Sequence, residues 1–177
     1  MKLLYITDVS QVQYFLKNRE EFEGYMPITG DISSVFLMQN NLLEFINEWD
    51  LLPPTVIEQN WNLANDFSKN WWNEVDFDIP NDVKEYYFAT SQDMVYPLEA
   101  IFNAKLVYEE LFKKFKIEEL LGFFLQKQAV LRTGPIPTHR AVRSIAQAIL
   151  LWIADKNSVP YKSIEMNFLL TNDKLVK

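Results

Sequence analysis

Three of the chain's four arginines and its single histidine fall within one short segment, Arg132-Thr133-Gly134-Pro135-Ile136-Pro137-Thr138-His139-Arg140-Ala141-Val142-Arg143. Arginine presents a planar fork of donors that matches carboxylate and phosphate oxygens. A histidine that titrates near neutrality adds a proton donor or a further anion contact. The segment reads as a loop that leaves a core strand and opens a helix at His139. Helix N-termini offer unpaired N–H groups and positive potential to the same anions. Arg132, Gly134, Thr138, His139, Arg140 and Arg143 are therefore the candidate ligand-binding residues, suited to an anionic sugar or phosphosugar. The competing reading is structural: Thr138 caps the helix, the prolines stiffen its approach, and the arginines pair with carboxylates elsewhere.

A second group is acidic. Asp8 follows the first apolar strand, and Thr29-Gly30-Asp31 follows the second. An acid at the carboxyl edge of a parallel sheet can bind sugar hydroxyls or act as a general base, so Asp8, Asp31 and His139 are the candidate catalytic residues. Helix N-capping is the alternative role for both aspartates. A third group, Asn60-Trp61-Asn62 and Asn70-Trp71-Trp72-Asn73, sets aromatic faces among amides, which suits carbohydrate stacking, a protein interface or helix packing. Trp71 and Trp72 are adjacent, so they cannot both face one side of a helix.

The absences narrow the chemistry. There is no GxxxxGK[ST], no GxGxxG and no GxSxG, and hence no signature of a P-loop, a dinucleotide site or a nucleophile elbow. With no cysteine and one histidine, a zinc site is not expected. Oxygen-coordinated magnesium stays open, and no cofactor is expected. The chain has 177 residues and net charge −7, unevenly spread. Residues 1–100 hold 17 acidic and 5 basic residues, net −12; residues 101–177 hold 7 acidic and 12 basic, net +5. An acidic chain is a poor non-specific nucleic-acid binder, and the split favours one local basic site instead. No apolar run is long enough for a membrane helix, and the opening run is too short for a signal peptide. The expectation is a cytoplasmic protein with no membrane insertion.

Positioning these groups requires the following elements. Lys2–Thr7 reads as a strand, Val9–Phe22 as a helix with Val12, Phe15, Leu16 and Phe22 inward, and Gly24–Asp31 as a short strand. Pro27 argues that this strand is very short or lies at an edge. A helix from Asp31 or Ser33 buries Val35, Leu37, Met38, Leu42, Leu43, Phe45 and Ile46 and runs to Pro53-Pro54. Helices follow over Thr55–Asp76 and Met94–Phe115, with Pro97 in the first turn of the latter or marking a break. Leu120–Leu125 lies in a core strand. His139–Lys156 is a helix that buries Val142, Ile145, Ala146, Ile149, Trp152 and Ile153, and Lys162–Phe168 is a last strand. The order predicts one α/β domain over 1–177: a three-layer Rossmann-like fold with a mainly parallel sheet and a helical insertion at about 53–115.

On Lys2–Asp8, Leu106–Leu125 and Gly134–Arg140 leading to Lys162–Phe168, the layout resembles the N-terminal half of bacterial surface-carbohydrate biosynthesis proteins related to GT-B glycosyltransferases. The resemblance implies a domain that shapes the acceptor side of a cleft, with a second Rossmann-like half holding a nucleotide-sugar. That second half would need about as many residues again. The expectation is thus a fragment, a standalone acceptor-binding module, or a subunit that needs a second domain or protein partner. The alternative is a non-catalytic interaction or regulatory module that uses its aromatic helical stretch, around Trp61 and Trp72.

Overall fold

Leu3, Leu4, Tyr5 and Ile6 are all buried, so the first strand, β1 (Lys2–Tyr5), must be covered on both faces. That demand is met by a parallel sheet with helices on either side. The computed structural model describes residues 1–71, 80–81, 83–85, 91–123 and 139–164, with backbone alone at 92 and 139–144. After β1 come α1 (Val9–Lys17), a 3-10 turn (Arg19–Phe22), β2 (Tyr25–Thr29), α2 (Ile32–Asn40), β3 (Ile46–Asn47) and a second 3-10 turn (Glu48–Leu51). Then follow α3 (Pro54–Asn70), α4 (Gln92–Lys114), β4 (Glu119–Gly122), α5 (His139–Lys156) and β5 (Tyr161–Ser163). The chain is an α/β protein whose described residues form an all-parallel five-stranded sheet in the order β3-β2-β1-β4-β5, consistent with the Rossmann-like architecture expected.

Register puts Lys2 of β1 beside Tyr25 and Glu119, and Tyr5 beside Ile28 and Gly122. Alternation then sends Leu3 and Tyr5 into one core with Ala104, Tyr108 and Leu111 of α4 and Leu150 and Ile153 of α5. Leu4 and Ile6 enter the other, with Val12 and Phe15 of α1 and Met38 of α2. The stretch 53–115 supplies α3 and α4, and α4 forms a layer of the first core. The N-terminal half of α4 packs on α3 instead, and the small residues Ala64 and Ser68 of α3 and Val95 of α4 are all buried. Asn60 donates to Asn103 across that contact (2.7 Å).

Four expectations need correction. The helix read from Asp31 toward Pro53 stops at Asn40, and Ile46–Asn47 pairs instead with Ile28–Thr29 as an extra strand. The stop is a Schellman turn: the Leu43 N–H donates to Met38 O (3.1 Å) and the Leu42 N–H to Gln39 O (3.0 Å), with Leu42 at φ 52°. Leu42, expected in the core, is 94% exposed because the left-handed residue points outward. Trp152, also expected inside, is 45% exposed and lies under the Lys156 ammonium, 3.7 Å from the ring centroid. The helix containing Pro97 starts at Gln92, which places the proline in the second turn rather than the first.

Pro27 has a plain account. Ile28 offers its carbonyl to Ile6, so the neighbouring residue 27 faces the β3 side, and β3 begins only opposite Ile28. The missing N–H therefore lies where no strand pairs.

Leu42 and Ser158 (φ 56°) both hold the left-handed position that glycine adopts without steric cost, and the Ser158 turn repeats the bonding, with Val159 N–H on Ala154 O (2.9 Å). Leu42→Gly removes no burial, so it should raise unfolding stability by about 1 kcal/mol in a urea titration, net of the added chain entropy. An unchanged or lower midpoint would show that the turn carries no strain.

Candidate functional site

All strands run the same way, so their carboxyl ends share one edge, and the strand order reverses between β1 and β4. Successive crossovers leave opposite faces of the sheet at that point, which is where open α/β sheets place a ligand crevice. The turns after β1 and β2 flank it on one side. Asp8 caps α1: its carboxylate accepts from the Ser10 N–H (2.9 Å), the Gln11 N–H (3.2 Å), the Ser10 hydroxyl and the Gln11 side-chain amide (3.2 Å). The same amide holds the end of the strand, since the Thr7 N–H donates to Gln11 Oε1 (2.8 Å) and Gln11 Nε2 donates to Thr7 Oγ1 (3.0 Å). Asp31 caps α2, accepting from the Ser34 N–H (2.9 Å) and hydroxyl (2.8 Å), while its own N–H donates to Thr29 Oγ1 (3.2 Å). Both aspartates therefore stand on the expected edge, on neighbouring turns, with carboxylates engaged in holding those turns.

On the other side of the reversal point is the carboxyl end of β4. Gly122, the last residue of β4, pairs beside Tyr5, so the chain leaves the sheet at the point of reversal. Arg132, Gly134 and Thr138 lie outside the described residues. His139, Arg140 and Arg143 occupy the first turns of α5. That helix must run back to the amino edge to reach β5, which sets its N-terminus at the carboxyl edge.

Sequence reasoning did not single out a further cluster behind the β2 and β3 turns. The Tyr5 and Tyr108 hydroxyls hydrogen-bond at 2.9 Å, and Tyr108 donates to Glu48 Oε1 at 3.1 Å. The two rings meet edge-on, with centroids 6.1 Å apart. Glu48 opens the 3-10 turn after β3, and its other oxygen lies against Gly30; a Cβ at residue 30 would collide with it. Trp49 closes the turn by donating its indole N–H to Gly30 O (2.8 Å). Glu48 is partly exposed as a residue, but its carboxyl end turns inward, and the loss of hydration lifts its pKa from 4.5 to about 7, against the lowering effect of the Tyr108 hydrogen bond. Burial, followed by the nearby Glu48 charge, holds Tyr108 well above the usual phenol range. A carboxyl that exchanges its proton near neutrality, at the carboxyl edge of the sheet, has the acidity of a general acid or base. The available signal was Gly30: a glycine of ordinary φ directly after a strand marks close approach by another group.

Among the described residues, no three acidic or histidine side chains converge on a metal position, and no helix is long and apolar enough to cross a membrane. A cavity of ≈ 550 Å³ bordered by Leu51, Pro53, Val56, Leu106 and Lys113 lies along the C-terminal half of α4. That half returns toward the amino edge, away from the crevice.

Glu48 generates a pH dependence of stability. Its folded pKa lies above the unfolded value, so its contribution is fully present below about pH 4.5 and is lost as pH rises through about 7. Urea titrations at about pH 5 and about pH 8 should show that loss, on the order of 2 kcal/mol, in the native chain and not in Glu48→Gln, which keeps an acceptor for Tyr108. Equal pH dependence in both proteins would assign it to other groups.

Comparison with protein-family models, with curated proteins and with solved structures returns no match.

Proposed function

We propose that the chain is a glycosyltransferase-like ligand-binding domain that takes a phosphorylated sugar or nucleotide-sugar at the carboxyl edge of its sheet. The observation that carries this reading is the all-parallel β3-β2-β1-β4-β5 order, which puts the point of reversal between β1 and β4. β4 ends there, the arginine-bearing segment follows it in sequence, and α5 sets its N-terminus at the same edge. Such an edge suits anions by geometry, and Arg132, Arg140 and Arg143 suit them by chemistry. His139, at the helix start, would handle hydroxyl protons. The resemblance to the acceptor-side half of surface-polysaccharide enzymes extends the proposal: a second domain or protein partner would complete the cleft.

A second reading, an interaction module, draws support from the outer side of the α3–α4 pair. Trp61 meets Tyr96 edge-on at 5.4 Å, and Leu63, Phe67 and Tyr96 are exposed on the same pair of helices. Trp72 lies outside the described residues. A partner docked here would leave the carboxyl edge unaffected, so the two readings separate cleanly by mutation.

A thermal-shift screen against sugar phosphates, nucleotides and nucleotide-sugars tests the first reading. A ligand at about 100 times its Kd should add about 2.7 kcal/mol of stability, and Arg140→Ala should abolish the shift. A shift that survives Arg140→Ala would move the site elsewhere. No shift with any of these ligands would leave the interaction module as the better description.

A further inference from the structure

Two surfaces lie outside that crevice, at opposite edges of the sheet. On the β3 side, α2 has no charged residue in any of its nine positions, and Ile32 and Phe36, one turn apart, are 76% and 64% exposed. Trp49, also exposed, is tied beside the start of this helix by its bond to Gly30 O. The sheet buries only Ser34 and Met38 of α2. Ile32 and Phe36 form an apolar pair on an exposed face otherwise made of Ser33, Gln39 and Asn40, and with Trp49 beside them they make a patch that a partner can cover. The surrounding sequence is acidic: residues 20–68 contain nine aspartates and glutamates and no lysine or arginine.

On the β5 side the character inverts. All three residues of β5 are exposed, and Tyr161 presents its ring there. Trp152 projects from α5, the helix that leads into β5, with Lys156 over its ring. Lys2 (3.4 Å) and Lys162 (2.6 Å) share the single carboxylate of Glu119, which leaves one positive charge in excess.

We propose that these two edges bind each other in neighbouring copies of the chain, head to tail, with Ile32, Phe36 and Trp49 of one copy against Trp152 and Tyr161 of the next. Charge complementarity carries the assignment. Exposed Asp50 adjoins Trp49 in sequence and exposed Glu44 follows α2, whereas Lys156 stacks on Trp152 and exposed Lys162 adjoins Tyr161. Pairing α2 with itself would bring like charges together, as would pairing β5 with itself. A second copy is the occupant because one chain supplies both halves of the match. The two faces are different and lie at opposite edges, so no pair of copies satisfies both, and assembly continues into a ring or an open filament. Ile32 and Trp49 follow β2 and β3 at the carboxyl edge, so this contact borders the candidate site, but it draws on none of the arginines there.

Sedimentation velocity on the full chain, from low to high micromolar concentration, tests it. The sedimentation coefficient should rise with concentration, and added salt should reduce the rise. Phe36→Glu and Trp152→Glu each change an exposed position and should weaken association about tenfold or more, equivalent to 1.4 kcal/mol. Mixed together, each variant retains one intact face, so the mixture should form a discrete heterodimer and nothing larger. Circular dichroism checks that both are folded, with Phe36→Ser and Trp152→Ser as milder replacements. A native chain that stays monomeric overturns the proposal. It is equally overturned by a native dimer that Phe36→Glu abolishes and Trp152→Glu leaves intact, or by a mixture that stays monomeric.

Discussion

The burial of β1 on both faces is the condition from which the rest of the architecture follows. Leu3 and Tyr5 point into one core, Leu4 and Ile6 into the other, so neither face of the central strand can be left to water. Helices α1 and α2 cover one side, and α4 and α5 the other. Crossovers of one hand reach opposite faces only if the chain builds outward from β1 in both directions, which is what the β3-β2-β1-β4-β5 order records. The reversal point at the carboxyl edge is thus a by-product of covering a doubly buried strand. It exists whatever side chains later occupy it.

Placing a tyrosine in that central strand creates a second demand. The Tyr5 hydroxyl ends in a core of leucines and must find a partner, and Tyr108 supplies one from α4. Tyr108 in turn reaches Glu48, whose carboxyl fits only because residue 30 has no side chain. A polar line thus runs from the sheet through a helix to the turn after β3. Its cost in desolvation appears as the raised pKa of Glu48. The aspartates after β1 and β2 meet a simpler need, since each satisfies N–H groups at the start of the helix that follows.

Much of this was legible in the residues. The periods of Val12 and Phe15, of Leu111, and of Ile149 and Ile153 locate α1, α4 and α5, and the capping aspartates mark where α1 and α2 begin. What escaped was the short strand β3, and the reason is specific. Leu42, Leu43, Phe45 and Ile46 extend the spacing of the helix before them, and the turn that ends it uses a leucine where glycine is the usual sign. Trp152 misled because its position fits the buried stripe of α5, while its size and its stacking with Lys156 let it sit at the rim. The Glu48 cluster was illegible for another reason: its members are 43 and 60 residues apart in sequence, and only the fold joins them. (The separations are Tyr5 to Glu48 and Glu48 to Tyr108.)

The two polar anchors along α4 have a bearing on how this chain can vary in length. Tyr108 fixes the helix to the sheet and to Glu48, while Asn103, five residues earlier, fixes it to Asn60 of α3. One residue added between them would turn everything on one side by about 100° about the helix axis. Either the tyrosine or the asparagine would then lose the bond it makes across the contact, at the cost of desolvating polar groups without that compensation. The span between these anchors therefore acts as a ruler of invariant length. Insertions and deletions belong before Gln92 or after Phe115, where α4 is not pinned at both ends.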